Sequence, residues 1–136
     1  MKEKIIESIN EVLSSDLSIK LYKELVPENL TKKIIKLAIE DISLELLLNF
    51  SEDKISVLAD SDHQDVEISG TLSSFIFYAF TGGSDLFSSK ITITGDIESA
   101  NALNSFFKES NLLRIIIIEL IGQKPTSTLF LSLIHI

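Results

Sequence analysis

A chain of 136 residues has room for one hydrophobic core, and a domain of that length buries roughly two-thirds of its unfolded surface without metal or disulfide staples. The absence of cysteine removes disulfides, thiolate zinc sites and cysteine nucleophiles together, and fits a reducing compartment. A net charge of -8 excludes nucleic acid as a partner, because grip on a phosphate backbone depends on neutralisation by Lys and Arg.

The charge is unevenly spread. Residues 1–36 carry seven lysines against six acids, whereas residues 37–136 carry five basic residues against fourteen acids. The opening segment, MKEKIIESINEV, interleaves acids with its apolar residues, so it is not a secretory signal. Ile5, Ile6, Ile9, Val12 and Leu13 recur at helical spacing and predict an amphipathic helix over residues 3–14. Its lysines read as a solvated face, with contact to an anionic membrane surface as the alternative. Asp16 is placed to cap a second helix through Leu17, Leu21 and Leu25, ending near Pro27.

From Lys33 the period changes to two. Ile35, Leu37 and Ile39 alternate with polar neighbours, and after 40-EDIS-43 so do Leu44, Leu46, Leu48 and Phe50. A turn at 51-SEDK-54 leads to Ile55 and Val57, and 65-DVEIS-69 offers a short fourth strand. Helical spacing returns with Leu72, Phe75, Ile76 and Ala79, stopped by Gly82-Gly83. A last strand with Ile91 and Ile93 runs into a helix whose expected face is Ile97, Ala100, Leu103 and Phe107. Between them, Gly95 permits the turn, Asp96 caps the helix, and Glu98 adds a second favourable charge. Two carboxylates there repel the anion that a helix N-terminus would otherwise hold.

The order helix, helix, β-meander, helix, strand, helix predicts an α+β domain, with helices on one face of a mostly antiparallel five-stranded sheet. The most apolar run, 112-LLRIIIIELIG-122, contains Arg114 and Glu119 and is too short to span a bilayer. The chain is therefore expected to be soluble and cytoplasmic, at most peripheral to the inner membrane.

Catalytic motifs are missing. His63 lies in 60-DSDHQD-65, but an EF-hand starting at Asp60 would need Gly and Glu where Asp65 and Thr71 stand, so the segment reads as an exposed acidic loop. No nucleophile elbow, Walker loop, dinucleotide fingerprint or His-Glu-x-x-His occurs. Hydrophobic residues nevertheless make up 45% of the chain, with a mean hydropathy of +0.30. Either an ordinary core or an apolar cavity that needs lining accounts for that excess.

The segments 44-LELLLNFSEDKISVLAD-60, 65-DVEISGTLSSFIFYAF-80, 90-KITITGDIESANALNSFFKE-109 and 116-IIIELIGQ-123, in that order, resemble the sterol-carrier-protein-type lipid-binding domain over about residues 30–123. Within that superfamily they are most similar to its ubiquinone-biosynthesis accessory factors. The sequence departs from that pattern at Ser88-Ser89, at Gln123, and in ending on 129-LFLSLIHI-136 where the relatives continue into a charged helical region. Residues 1–29 then read as N-terminal helices, 30–123 as the lipid-binding domain, and 124–136 as a tail, truncated or of non-family sequence.

The resemblance implies a non-catalytic protein without cofactor that holds a lipid between the sheet and its covering helices. The implied partners are isoprenoid quinone intermediates or another lipid, together with ubiquinone-pathway hydroxylases and methyltransferases. A ligandless scaffold subunit and a general phospholipid or sterol carrier are the alternatives. The implied lining is Leu46, Leu48, Ile55, Val57, Ile91 and Ile93 on the strands and Leu72, Phe75, Ile76, Ala79, Leu103 and Phe107 on the helices, unless these side chains simply fill a core. Leu86 and Phe87, in 81-TGGSDLFSSK-90, would form a lip at the cavity mouth.

Overall fold

A computed structural model describes residues 2–81, 91–110 and 112–123. Helix α1, Lys2–Leu13, turns Ile5, Ile9 and Leu13 inward, four residues apart as one face of a helix requires. Helix α2, Asp16–Leu25, follows after a two-residue break. Its cap is Ser15 and not the expected Asp16. Ser15 has extended backbone, and its hydroxyl accepts the Ser18 N–H, while Asp16 sits one residue inside, where its charge suits the positive helix end.

Three strands follow as a meander: β1, Ile34–Ile39; β2, Leu44–Phe50; and β3, Ile55–Leu58. The turn between β1 and β2 is a 3-10 segment, Glu40–Ile42, closed by Ser43 in the left-handed conformation. Strand β4, Val66–Gly70, does not extend the meander as expected. It crosses back and pairs in parallel with β1, and β5, Thr92–Gly95, adds antiparallel to β4, giving the order β3-β2-β1-β4-β5. Asp65 seats that crossover: its N–H donates to the Ile34 carbonyl, and its carboxylate accepts the Ile34 N–H, each at 2.8 Å. The sheet is thus mostly antiparallel with one parallel pair.

The register stacks Ile35, Leu48, Val57 and Val66 in one row and Leu37, Leu46, Ile68 and Ile93 in the next. This face is buried beneath the helices. The opposite face mixes apolar residues such as Leu47 with charged ones, and there Lys36 bridges Glu45 at 3.0 Å and Glu67 at 3.5 Å. Edge strand β3 is shielded by α1: the Asn10 side chain donates to the Val57 carbonyl at 2.9 Å and accepts the Val57 N–H at 2.7 Å. The amide imitates a neighbouring strand and so satisfies an otherwise open edge.

Helix α3, Leu72–Thr81, starts where Asp41 accepts the Leu72 N–H at 2.9 Å. It buries Leu72, Phe75 and Tyr78, and leaves Ile76 and Ala79 partly covered. Helix α4, Ile97–Glu109, begins at Asp96, whose carboxylate accepts both the Ser99 N–H and the Ser99 hydroxyl at 2.8 Å. Those bonds, the backbone one foremost, hold the Asp96 carboxyl below its ordinary pKa. The buried stripe runs through Ala100, Leu103, Phe106 and Phe107. Ile97, expected on it, is 71% exposed, because at 3.6 residues per turn it lies roughly 120° from the stripe's centre. Helix α5, Leu112–Gln123, closes the layer against α1 and α3. Its Arg114 reaches α3, where Nε donates to the Ala79 carbonyl at 2.8 Å and the guanidinium lies 5.6 Å from the Phe80 ring centre.

Gly95 is tightly enclosed. Its φ is +140°, and a Cβ there would lie 2.9 Å from the Asp65 carbonyl oxygen and 3.0 Å from the Val66 Cα. Gly95→Ala is therefore expected to destabilise the protein by about 1–3 kcal/mol in urea unfolding, through strain and a backbone clash. Gly122→Ala, with open space around it, leaves stability unchanged or raises it by up to about 1 kcal/mol.

Candidate functional site: an apolar groove between the helices

The implied lining residues divide into three groups. Leu46, Leu48, Val57, Leu72, Phe75, Leu103 and Phe107 are buried in one continuous core, joined by Ile91 at its border and, half-covered, by Ile76, Ala79 and Ile93. Ile55 belongs to the same core but also faces open space. Leu86 and Phe87 lie outside the described residues, as do Gly82-Gly83 and the tail 124–136.

The open space is a groove of about 320 Å³ between α2 and the junction of α4 with α5. Helix α2 supplies Leu17, Ser18, Leu21, Tyr22 and Leu25, and α1 ends there with Leu13. Ile55 forms part of the floor. The opposite wall is Phe106 and Glu109 from α4 and Ser110 just beyond it, then Leu112 and Ile115 from α5. Leu17 and Leu21 are 67% and 43% exposed, so the rim is apolar and wet. A volume of this size is at the lower end of the ~300–1,000 Å³ of ligand pockets and suits one chain segment rather than a bulky ring system.

Aromatic contacts make the floor rigid. The Phe50 and Phe106 rings meet edge to face at 5.5 Å, and Tyr22 lies 6.2 Å from each of them. Such tilted pairs add about 0.5–1.5 kcal/mol each beyond the area they bury. The Tyr22 hydroxyl donates to the Ser51 carbonyl, which ties α2 to the β2–β3 turn. Burial pushes this phenol up to about 12 from its ordinary 10.0. Sequence periodicity pointed to neither Tyr22 nor Phe106. The available signal was the row Leu17, Leu21, Leu25, a leucine stripe on a helix that buries only Tyr22 in the core.

Other surfaces offer less. A shallow depression of about 500 Å³ on the outer sheet face is lined by Lys36, Glu40, Glu45 and Glu67, among others, and its lysine is already paired with two carboxylates. His63 sits in the exposed loop, 3.8 Å from Asp65. Among the described residues no cluster of His, Asp or Glu could hold a metal ion, and no helix is long and apolar enough to cross a membrane.

A mixed sheet of this order is covered on one face by helices, with an apolar groove in the helical layer. The chain belongs to the SCP-2 sterol transfer family, whose model matches residues 9–108, from within α1 to the end of α4. Its fold is that of sterol carrier protein 2 from Yarrowia lipolytica in the apo form, at 17% identity over 79% of this chain and 89% of that one, with a TM-score of 0.55. The ubiquinone synthesis protein UbiJ-SCP2 aligns at 17% identity over 78% and 91% of the two chains, with a TM-score of 0.47. The sec-alkylsulfatase Pisa1 from Pseudomonas sp. aligns at 16% identity over 72% of this chain but only 16% of its own, with a TM-score of 0.48. A comparison with curated protein sequences found no match.

The raised Tyr22 pKa has a definite sign. Below pH 10 both folded and unfolded chains keep the phenol proton, and between pH 10 and about 12 only the unfolded chain loses it, so stability falls as pH rises through that window. Tyr22→Phe is expected to remove this part of the alkaline slope in denaturant unfolding, while lowering stability at neutral pH by about 1–3 kcal/mol through the unpaired Ser51 carbonyl.

Proposed function

We propose that this protein is a non-catalytic, cytoplasmic lipid-binding accessory factor of ubiquinone biosynthesis. In this reading it holds the apolar chain of polyprenylated intermediates and presents their polar rings to hydroxylases and methyltransferases. The observation that carries the lipid reading is membership of the SCP-2 sterol transfer family together with an apolar groove on the helical layer. The narrower ubiquinone role rests on the sequence resemblance of residues 44–60, 65–80 and 90–109 to that branch of the superfamily.

The physics of such a carrier is simple. Each CH₂-scale group of a polyprenyl tail costs ~0.8 kcal/mol to expose to water, so a tail leaves the bilayer only for another apolar environment. The exposed Leu17 and Leu21 offer a first foothold, and the Phe50–Tyr22–Phe106 floor offers a rigid surface beneath it. In this reading Leu46, Leu48, Val57, Leu72, Phe75, Ile76, Ala79, Ile91, Ile93, Leu103 and Phe107 are the packed core behind the groove, which a longer chain would have to open at a cost in packing. Residues 30–123 are the lipid-holding body in this reading, residues 1–29 contribute the helix that closes the groove, and 124–136 remain a tail.

Organic extraction of the purified protein followed by mass spectrometry is expected to recover isoprenoid quinone precursors. Leu21→Asp is expected to lower the recovered lipid about tenfold by removing one leucine's worth of apolar contact. Its melting temperature should hold, since Leu21 is 43% exposed. A lipid-free wild-type protein that also fails to take up added polyprenyl lipid would overturn the reading.

A further inference from the structure

The groove has a charge pattern that its apolar lining conceals. No Lys, Arg or His is among the described residues lining it, and its one ionisable carboxyl is Glu109, exposed at the last residue of α4. Glu109 makes no ion pair or hydrogen bond among the described residues. The cation nearest along α5, Arg114, is engaged elsewhere, on the Ala79 carbonyl and the Phe80 ring.

The other polar groups of the groove are largely spent. Ser18 donates to the Val12 carbonyl at 2.9 Å, and Tyr22 donates to the Ser51 carbonyl. The Ser110 hydroxyl accepts the Leu112 N–H at 3.4 Å and retains only its own proton to offer. Helix ends do not reverse the balance, because the positive start of α5 at Leu112 meets the negative ends of α1 at Leu13 and α4 at Glu109. Among the described lining side chains, a ligand head therefore meets one negatively charged acceptor and few free donors.

We propose that the groove selects lipids with an uncharged, hydroxyl-bearing head over lipids of the same chain with an anionic head, and that Glu109 sets the preference. This rests on the lipid-binding reading above and narrows it. A hydroxyl donates to the Glu109 carboxylate, whereas a carboxylate or phosphate is repelled by it and finds no cation among the described lining residues to pair with. The apolar chain contributes equally in both cases, so the head alone discriminates.

The test uses the full chain at low ionic strength and neutral pH, with the uncharged dye Nile Red as reporter. Farnesol and farnesoic acid, which share one chain, compete for it. Farnesol is expected to displace the dye roughly tenfold more effectively, a gap that added salt narrows, as Coulomb repulsion from a solvent-exposed carboxylate requires. Glu109→Gln should shrink the gap, and Glu109→Lys should invert it by tightening farnesoic acid and weakening farnesol. Both substitutions are at an exposed position, and a lysine in the last turn of a helix favours the fold. Equal displacement by the two lipids in the wild type, or a gap indifferent to Glu109→Lys, would overturn the selectivity while leaving lipid binding intact. Failure of both lipids to displace the dye would overturn the lipid-binding reading as well.

Discussion

The close approach of Gly95 to the Asp65–Val66 backbone is a constraint on which the sheet and helix α4 both depend. Strand β5 reaches β4 only because no side chain stands at Gly95. The same Asp65 holds β4 to β1 through two hydrogen bonds with Ile34, so three strands are keyed to one junction. Asp96 follows immediately and starts α4, which makes the junction the anchor of that helix's whole path. Phe106, Phe107 and Glu109 lie at its far end. The place of Phe106 against Phe50 and Tyr22, of Phe107 against Tyr78 and of Glu109 on the groove is set by where the helix begins.

The core and the groove divide the apolar residues between two tasks. The buried sheet face is filled by interlocking leucines, isoleucines and valines, and opening a cavity there would forfeit both their transfer energy and their packing. The space between α2 and the α4–α5 junction has less of that cost, because α2 fully buries only Tyr22, packs Leu25 partly against the core, and rides on an aromatic floor. A helix held so lightly leaves its leucines available. That is why the groove belongs to the helical layer while the sheet-facing positions pack against one another.

Much of the fold was legible from periodicity. The change from helical to alternating spacing near Lys33, and back after Gly70, marked the elements closely, since burial of one face imposes a period on any strand or helix. The mostly antiparallel sheet and its helical cover were legible for the same reason. Alternation, however, says which face of a strand is buried and nothing about its neighbour, so the parallel pairing of β4 with β1 was not readable. Likewise Ser15 and Asp16 are both good capping residues, and only the backbone conformation decides between them. Ile97 looked like a member of the α4 stripe because an apolar residue three before Ala100 fits the spacing, yet the helix phase leaves it in solvent.

The candidate site was legible in kind but not in place. Composition and the absence of catalytic motifs directed attention to apolar surface, and the order of segments directed it to a lipid-carrier domain. Neither could show that Phe106 and Glu109, more than eighty residues beyond Tyr22 in the chain, border the same space as Tyr22, Leu17 and Leu21. The sequence by itself determined the elements, their buried faces and the Gly-Asp junction, because those follow from local sterics, capping and one-sided burial. Strand order, the occupied core and the position of the groove were decided only in the tertiary structure, because each depends on which distant surfaces meet and how completely they cover one another.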